Sequence, residues 1–169
     1  AIYAAAAFFG AWRTKLPAVT WVGSGLALAA IVQTVVFKLA DQPDLFRGHQ
    51  DPYYWQLAML VYATVAVLVA SAMRHFVPEM KRLFADPLSL SSLAGSLVAI
   101  PFWLYAAPTE TTTVFAEHTF WLAAVWFAIS FLHRLAGLFT AAQLMLTLGV
   151  LFAVTAWLKE YEGKLLFFK

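Results

Sequence analysis

The sequence has no cysteine and few charged residues, and both shortages narrow the possible classes of protein. Without cysteine there can be no disulfide, no thiolate metal site and no cysteine nucleophile. Charged residues make up 12% of the chain, whereas soluble domains carry about 25%. The small net charge of +2 and the scattered basic residues also argue against a nucleic-acid partner.

Apolar residues, in contrast, account for 63% of the chain. A soluble fold of 169 residues could not bury so much apolar surface, so the excess has to face a lipid bilayer. About 20 apolar residues cross a bilayer as a helix, whereas the strands of a barrel would alternate apolar and polar residues. The apolar runs are continuous and predict helices near 1–12, 18–38, 54–74, 89–106, 114–133 and 137–158.

These runs predict an all-α fold: a polytopic transmembrane bundle of about six helices, arranged as three hairpins in a single domain over 1–169. The first run is short, the chain begins with Ala1 rather than methionine, and it turns apolar again at Leu165. We therefore expect 1–169 to be a fragment of a longer polytopic protein.

Basic residues are concentrated in alternate connectors. The connectors 13–17, 74–88 and 133–136 contain six lysines or arginines, against four in the opposite loops and the polar tail. Because cytoplasmic loops carry an excess of lysine and arginine, these three connectors are predicted to be cytoplasmic. Within the second connector, Met80, Leu83 and Phe84 share one side, which predicts a short amphipathic helix along the membrane surface.

Helix packing in lipid depends on small residues and on polar groups that bond across helices. Small residues recur at spacings of three or four on three predicted helices: Gly25 and Ala29; Ala63, Ala66 and Ala70; Ser91, Gly95 and Ala99. Thr140, Gln143 and Thr147 form a polar stripe on the last helix. A faint internal repeat relates Trp12–Phe37 to Leu132–Trp157, with Thr20 and Thr140 in matching places.

Candidate functional residues are few. No charged residue falls in the middle of a predicted helix, although proton-coupled pumps usually keep such groups despite their cost in lipid. Glu117, beside His118, comes nearest to an intramembrane carboxylate. Together with Gln33 and Gln143 these residues are the candidate substrate-binding groups. The alternative for Glu117 is a solvated residue near a helix N-terminus.

Two further hypotheses are that the chain is an enzyme or that it binds haem. Asp41, Asp44 and Asp51 form an acidic cluster in the outer loop, of the kind that transferases acting on lipid-linked substrates use as general bases or metal ligands. His75 and His133 end two helices on the same side and are candidate haem ligands, although histidines beside arginines are also common at membrane edges. No phosphate-binding glycine loop, metal-spaced His/Glu pair or nucleophile elbow is present.

The segments AWRTKLPAVTWVGSGLALAAIVQTVV (Ala11–Val36) and TAAQLMLTLGVLFAVTAWL (Thr140–Leu158) resemble very long multi-pass bacterial membrane proteins of unknown function. Those proteins consist of many tandem helical hairpins joined by short arginine-bearing turns. The resemblance covers about a quarter of the chain and rests on composition. It implies no catalytic residue and supports the expectation of a fragment.

The sequence therefore predicts a multi-pass membrane module with a structural role in a larger membrane protein or complex. Its expected partners are the lipid bilayer and other transmembrane helices, of the same chain or of partner subunits. The alternatives are a transporter or a membrane-embedded transferase acting on a lipid-linked substrate, and a b-type haem subunit. The sequence predicts no metal and no cofactor, leaves catalytic residues unknown, and leans away from an enzyme.

Overall fold

The computed structural model describes residues 1–39, 52–77, 80–106 and 111–166. Within those ranges the chain is all-α, as predicted, with six α-helices and no strand. The helices are α1 (Ile2–Thr14), α2 (Pro17–Val32), α3 (Pro52–Phe76), α4 (Asp86–Ala106), α5 (Thr112–His133) and α6 (Ala136–Leu166). Two π-helical segments adjoin them: Gln33–Leu39 continues α2, and Lys81–Ala85 leads into α4.

Five helices among the described residues are long and apolar enough to cross a membrane, judged by length and composition. They are Pro17–Phe37, Tyr53–Phe76, Lys81–Tyr105, Thr112–His133 and Ala136–Tyr161. The exception is α1, which has 13 residues. At about 1.5 Å per residue it is roughly 20 Å long, short of the ~30 Å hydrocarbon core. The prediction of six helices is confirmed, and the first is short, as the sequence indicated.

Two tight basic turns join consecutive helices. Lys15 ends α1 in the left-handed conformation, with a φ of 59°, and its N–H donates to the carbonyl of Ala11 at 2.8 Å. Pro17 then begins α2, because its fixed φ suits a first helical position and its missing N–H would have no helical partner there. Arg134 ends α5 in the same way, with a φ of 55° and a bond to the carbonyl of Ser130.

The chain divides into two compact units, Ala1–Tyr105 and Ala106–Lys169. We call them the N-terminal unit, which contains α1 to α4, and the C-terminal unit, which contains α5 and α6. The single domain over 1–169 stays a prediction. Consecutive helices within the N-terminal unit are antiparallel, because contacts that come later on one helix come earlier on its neighbour. The pairs are Phe8 with Gly23 and Gly10 with Val19, Ser24 with Tyr62 and Val36 with Ala58, and Tyr62 with Gly95 and Ala63 with Ser92.

Small residues bring α3 and α4 together, as predicted. Ala63, Ala66 and Ala70 of α3 are buried, as are Ser91 and Ala99 of α4. A Cβ atom on Gly95 would lie 2.9 Å from the Tyr62 ring, so only glycine fits there without displacing that ring. The hydroxyl of Ser92 donates to the carbonyl of Ala63 at 2.6 Å, a bond between the two helices.

The small-residue pair predicted for α2 does not join α2 to a helix of the N-terminal unit. Gly25 has no atom within 4 Å of where its Cβ would lie, and both Gly25 and Ala29 are exposed. The close approach occurs two residues earlier, where a Cβ on Gly23 would lie 2.9 Å from the Phe8 ring of α1. A small residue does allow α2 to pack closely, but the residue that faces α1 is Gly23 and not Gly25.

The C-terminal unit is an antiparallel hairpin joined by aromatic rings. Phe120 of α5 lies over Gly149 of α6, where a Cβ would be 2.9 Å from the ring. Ring centroids of Phe115 and Phe152 are 5.7 Å apart, and those of Phe127 and Phe139 are 5.3 Å apart. At the start of α5, the hydroxyl of Thr111 accepts the N–H of Val114, which caps the helix.

Candidate functional site

The N-terminal unit contains an apolar groove of about 530 Å³. Side chains of α1, α2, α3, α4 and the segment that leads into α4 line it, among them Phe8, Trp12, Ala27, Val69, Met80 and Phe84. Trp12 is 49% exposed and Val69 39% exposed, so the groove opens at the outer surface of the helices. Its volume is in the range of pockets that hold small ligands, about 300–1,000 Å³.

Among the described residues that line the groove, polar side-chain groups are few. They are the hydroxyl of Tyr62 and the indole of Trp12. The hydroxyl of Tyr62 is already bonded to the hydroxyl of Ser24 on α2, and both residues are buried. This bond joins α2 to α3. Because the hydroxyl is already bonded, the groove is best suited to a hydrocarbon ligand.

Basic side chains lie at one end of the groove. A second cavity of about 360 Å³ is lined by Lys15, Pro17, Met80, Arg82 and Leu83, and Met80 lines both cavities. The Nζ atom of Lys15 lies 5.7 Å from the ring centroid of Trp12, a wall of the groove. We call Lys15 and Arg82 the basic rim. No ion pair joins either residue to a carboxylate within the part of the chain that the structure describes.

The two connectors that form the basic rim are held together by a buried hydrogen bond. The hydroxyl of Thr20, in the first turn of α2, donates to the carbonyl of Leu83 at 2.7 Å. Leu83 and Phe84 are buried while Arg82 is exposed, so the apolar and charged sides separate as the sequence predicted. The segment is not a separate surface helix, however, because it continues without interruption into α4.

A row of exposed residues on α6, on the side away from α5, forms a second candidate surface. At about 100° per residue, Thr140, Gln143, Thr147, Val150 and Val154 fall within about 80° of arc, and all five are exposed. We call them the α6 stripe. Ala142, Gly149 and Phe152, which are buried or partly buried, lie on the other side of the helix, toward α5. Of the five membrane-crossing helices, α6 is the least buried.

Gln143 is the polar group of the α6 stripe that its own helix does not satisfy. The hydroxyls of Thr140 and Thr147 donate to the carbonyls four residues earlier, Ala136 and Gln143, at 3.2 and 2.9 Å. The side-chain amide of Gln143 makes no hydrogen bond to any residue that the structure describes. It therefore leaves two N–H donors and a carbonyl acceptor directed away from α5.

Glu117 and His118 are neighbours on α5 in different environments. Glu117 is the sixth residue of the helix and is exposed, whereas His118 is buried, with its ring centroid 6.4 Å from that of Trp121. Along α5, Glu117 comes between Phe115, which contacts Phe152, and Phe120, which contacts Gly149. Gln143 is six residues before Gly149, about 9 Å along the axis, so the structure does not bring Glu117 and Gln143 together.

The other predicted site residues lie on separate elements or outside the described ranges. Gln33 is exposed at the start of the π-helical segment after α2. His75 is exposed near the end of α3 in the N-terminal unit, and His133 is partly buried at the end of α5 in the C-terminal unit. Asp41, Asp44 and Asp51 are outside the described residues. The substrate, transferase and haem interpretations stay predictions.

The sequence alone did not predict the groove. Its walls come from four helices, and a single helix shows only one part of them. One available signal was the pair Phe8 and Trp12, four residues apart on a helix too short to cross a bilayer and followed directly by a basic turn. No group of three possible metal ligands occurs within 1–39, 52–77, 80–106 or 111–166.

The fold and these surfaces define an integral membrane protein with several membrane-crossing helices. Comparisons with protein-family models, with curated proteins and with solved structures find no match to this chain.

Proposed function

We propose that this chain is a structural module of a membrane assembly and that it packs through the α6 stripe against a further transmembrane helix. The observation that carries the proposal is the side-chain amide of Gln143, which is exposed within a membrane-crossing helix and makes no hydrogen bond to any described residue. A structural role needs such a surface, and a reaction centre does not.

The argument depends on what surrounds an exposed amide inside a membrane. Lipid tails offer no hydrogen-bond partner, so an unpaired amide there costs free energy, about 1–3 kcal/mol or more. Gln143 is the eighth residue of α6, about 10 Å from its start. A neighbouring helix that bonds this amide removes that cost. Glutamine side chains hold transmembrane helices together in this way.

The remainder of the α6 stripe is suited to close packing. Thr147 has its hydroxyl bonded within α6, so it presents a methyl group outward, and Val150 and Val154 continue the same face. Short and β-branched side chains let two helix backbones approach closely. One unsatisfied amide within an otherwise apolar and compact face favours another helix as the neighbour of α6, and not lipid alone.

Photo-crosslinking tests the proposal in the native membrane. A photoreactive phenylalanine analogue is placed at Val150, on the α6 stripe, and in a matched protein at Leu144, about 120° around the helix. Both positions are exposed, at 48% and 63% respectively. We expect protein crosslinks from position 150 and lipid adducts from position 144, with the crosslinked peptide identified by mass spectrometry.

Two results would contradict the structural proposal. One is a probe at position 150 that captures only lipid, which would mean that Gln143 faces the bilayer without a protein neighbour. The other is capture of a peptide from α1 to α5 of the same molecule, since the stripe would then be covered within the chain. Capture of any other transmembrane segment, including α6 of a second copy, supports the proposal.

We also propose that the basic turns face the cytoplasm. The described parts of connectors 13–17 and 74–88 lie at one end of the N-terminal unit, where Thr20 is bonded to Leu83. The excess of lysine and arginine in these connectors supports the cytoplasmic side. Because the chain has no cysteine, Lys15→Cys alone reports the side: a membrane-impermeant maleimide should label it in inside-out vesicles and not in intact cells. The reverse pattern would refute the orientation.

A further inference from the structure

We propose that the apolar groove and the basic rim together bind one phospholipid whose headgroup carries a net negative charge. An acyl chain occupies the groove, and the headgroup lies between Lys15 and Arg82. This inference concerns the N-terminal unit and does not depend on the role proposed for α6.

The shape and lining of the groove indicate hydrocarbon as its occupant. The groove holds about 530 Å³ and opens at the outer surface of the helices, where a membrane protein meets lipid. Its only hydroxyl, that of Tyr62, is bonded to Ser24. A flexible chain fills such an apolar cavity without leaving a polar atom unpaired, and a polar solute would lose its hydrogen bonds there.

The position of the basic rim indicates the charge of the headgroup. Lys15 is one turn beyond Trp12, a wall of the groove, and its Nζ lies 5.7 Å from that ring. Met80 lines both the groove and the cavity that contains Lys15 and Arg82, so the two spaces are adjacent. Two cations beside the end of a hydrocarbon groove are complementary to a phosphate headgroup with net negative charge.

The basic rim is a fixed part of the fold. Lys15 occupies the left-handed end of α1, where its N–H bonds the carbonyl of Ala11. Arg82 precedes the buried pair Leu83 and Phe84, and the carbonyl of Leu83 accepts the hydroxyl of Thr20. These bonds hold both basic connectors at the same end of the groove, so the two charges are positioned before any lipid binds. Such preorganisation favours affinity.

Native mass spectrometry of the delipidated protein tests the site. The protein in detergent is given equal amounts of phosphatidylglycerol and phosphatidylcholine with identical acyl chains. We expect one retained phospholipid per chain, with phosphatidylglycerol strongly preferred. Lys15→Gln should reduce that preference about fivefold, and Lys15→Gln with Arg82→Gln about thirtyfold, from the contribution of each basic residue near a membrane surface.

A matched variant separates this site from general surface charge. Arg134→Gln also removes one positive charge from a left-handed helix end, but it belongs to the C-terminal unit and is not among the residues that line the groove. It should leave lipid retention unchanged. Equal retention of the two phospholipids by the unaltered protein, or an equal loss in Arg134→Gln and Lys15→Gln, would overturn the proposal.

A second set of variants tests the groove itself. Ala27→Phe places a ring in the groove from α2, and Val69→Phe does so from α3, so the test stands if one variant does not fold. Either folded variant should lose both phospholipids. Unchanged retention in a folded variant would overturn the groove as the chain site. Displacement of phosphatidylglycerol by inorganic phosphate at the same concentration would indicate a free-anion site and would overturn it as well.

Discussion

Both units of this protein pack an aromatic ring over a glycine, but they differ in the hydrogen bonds of their hydroxyl groups. In the N-terminal unit, hydroxyl groups bond between separate elements: Thr20 to Leu83, Ser24 to Tyr62 and Ser92 to Ala63. In the C-terminal unit, aromatic rings join α5 to α6, and the hydroxyls of Thr119, Ser130 and Thr140 bond within their own helix. A polar contact between the two helices, Lys159 with Thr112 at 3.5 Å, lies at the end of the hairpin.

This difference follows from the side chains that line each contact between helices. In lipid, burial of apolar surface does not drive helices together, so packing and hydrogen bonds must do so. Where small residues such as Ala63 and Ala70 line the contact, a serine hydroxyl reaches the carbonyl of the neighbouring helix. Between α5 and α6, phenylalanine rings line the contact instead, and Gly149 admits Phe120.

The largest expected effect concerns the glycine that admits Phe120. Gly149→Leu places a side chain where a Cβ alone would be 2.9 Å from that ring. We expect overpacking to reduce the free energy of unfolding by about 1–3 kcal/mol, measured by denaturant titration in micelles with circular dichroism. Gly137→Leu is the control on the same helix, because nothing lies within 4 Å of its Cβ position. An equal loss of stability in both variants would contradict the conclusion that packed aromatic rings join this hairpin.

The second-largest effect on stability is expected to distinguish Thr20 from Thr140, which the faint internal repeat places in matching positions. Thr20→Val removes a buried bond to the carbonyl of Leu83, between elements. Thr140→Val removes an exposed bond within α6. We expect the first to cost about 1 kcal/mol of stability, and the second to be nearly neutral. The same titration measures both, and a neutral Thr20→Val would show that hydroxyl bonds do not join the N-terminal helices.

The smallest effect is expected at Glu117. Glu117→Gln preserves shape and removes one charge from an exposed position on α5. If the module is structural, stability should change by less than about 0.5 kcal/mol, and assembly with the neighbour of α6 should be unchanged. Co-purification of the assembly measures this. A variant that folds and assembles normally but abolishes a transport or transfer activity of the native membrane would favour the alternative functions.

The helices and their antiparallel neighbours in each unit could be predicted from the sequence, because runs of apolar residues separated by basic turns determine them. The small residues of α3 and α4 could be predicted as well, since spacings of three or four residues place them on one face. The choice between Gly23 and Gly25 could not, because both fit the pattern and the rotation of α2 depends on where Phe8 lies. Nor could the groove, which exists only once four helices have packed.

The functional residues were predicted less completely than the fold. The sequence predicts Gln143 as part of a polar stripe on the last helix and as a candidate substrate-binding group, and the structure adds that it faces away from α5. Lys15 and Arg82 were read only as markers of orientation, because their proximity arises from the Thr20–Leu83 bond between connectors far apart in sequence. The resemblance to tandem-hairpin membrane proteins stays a prediction.

The most direct test of the structural account is an oxygen-accessibility scan of α6 in the native membrane. Spin labels are attached one at a time to cysteines at positions 142–154, which the cysteine-free sequence allows. We predict low accessibility on two faces in every turn: toward α5 at Ala142, Gly149 and Phe152, and along the α6 stripe at Gln143, Val150 and Val154. High accessibility should be confined to the flank that contains Leu144. High accessibility along the whole stripe would contradict the central claim, because α6 would then face lipid on that side.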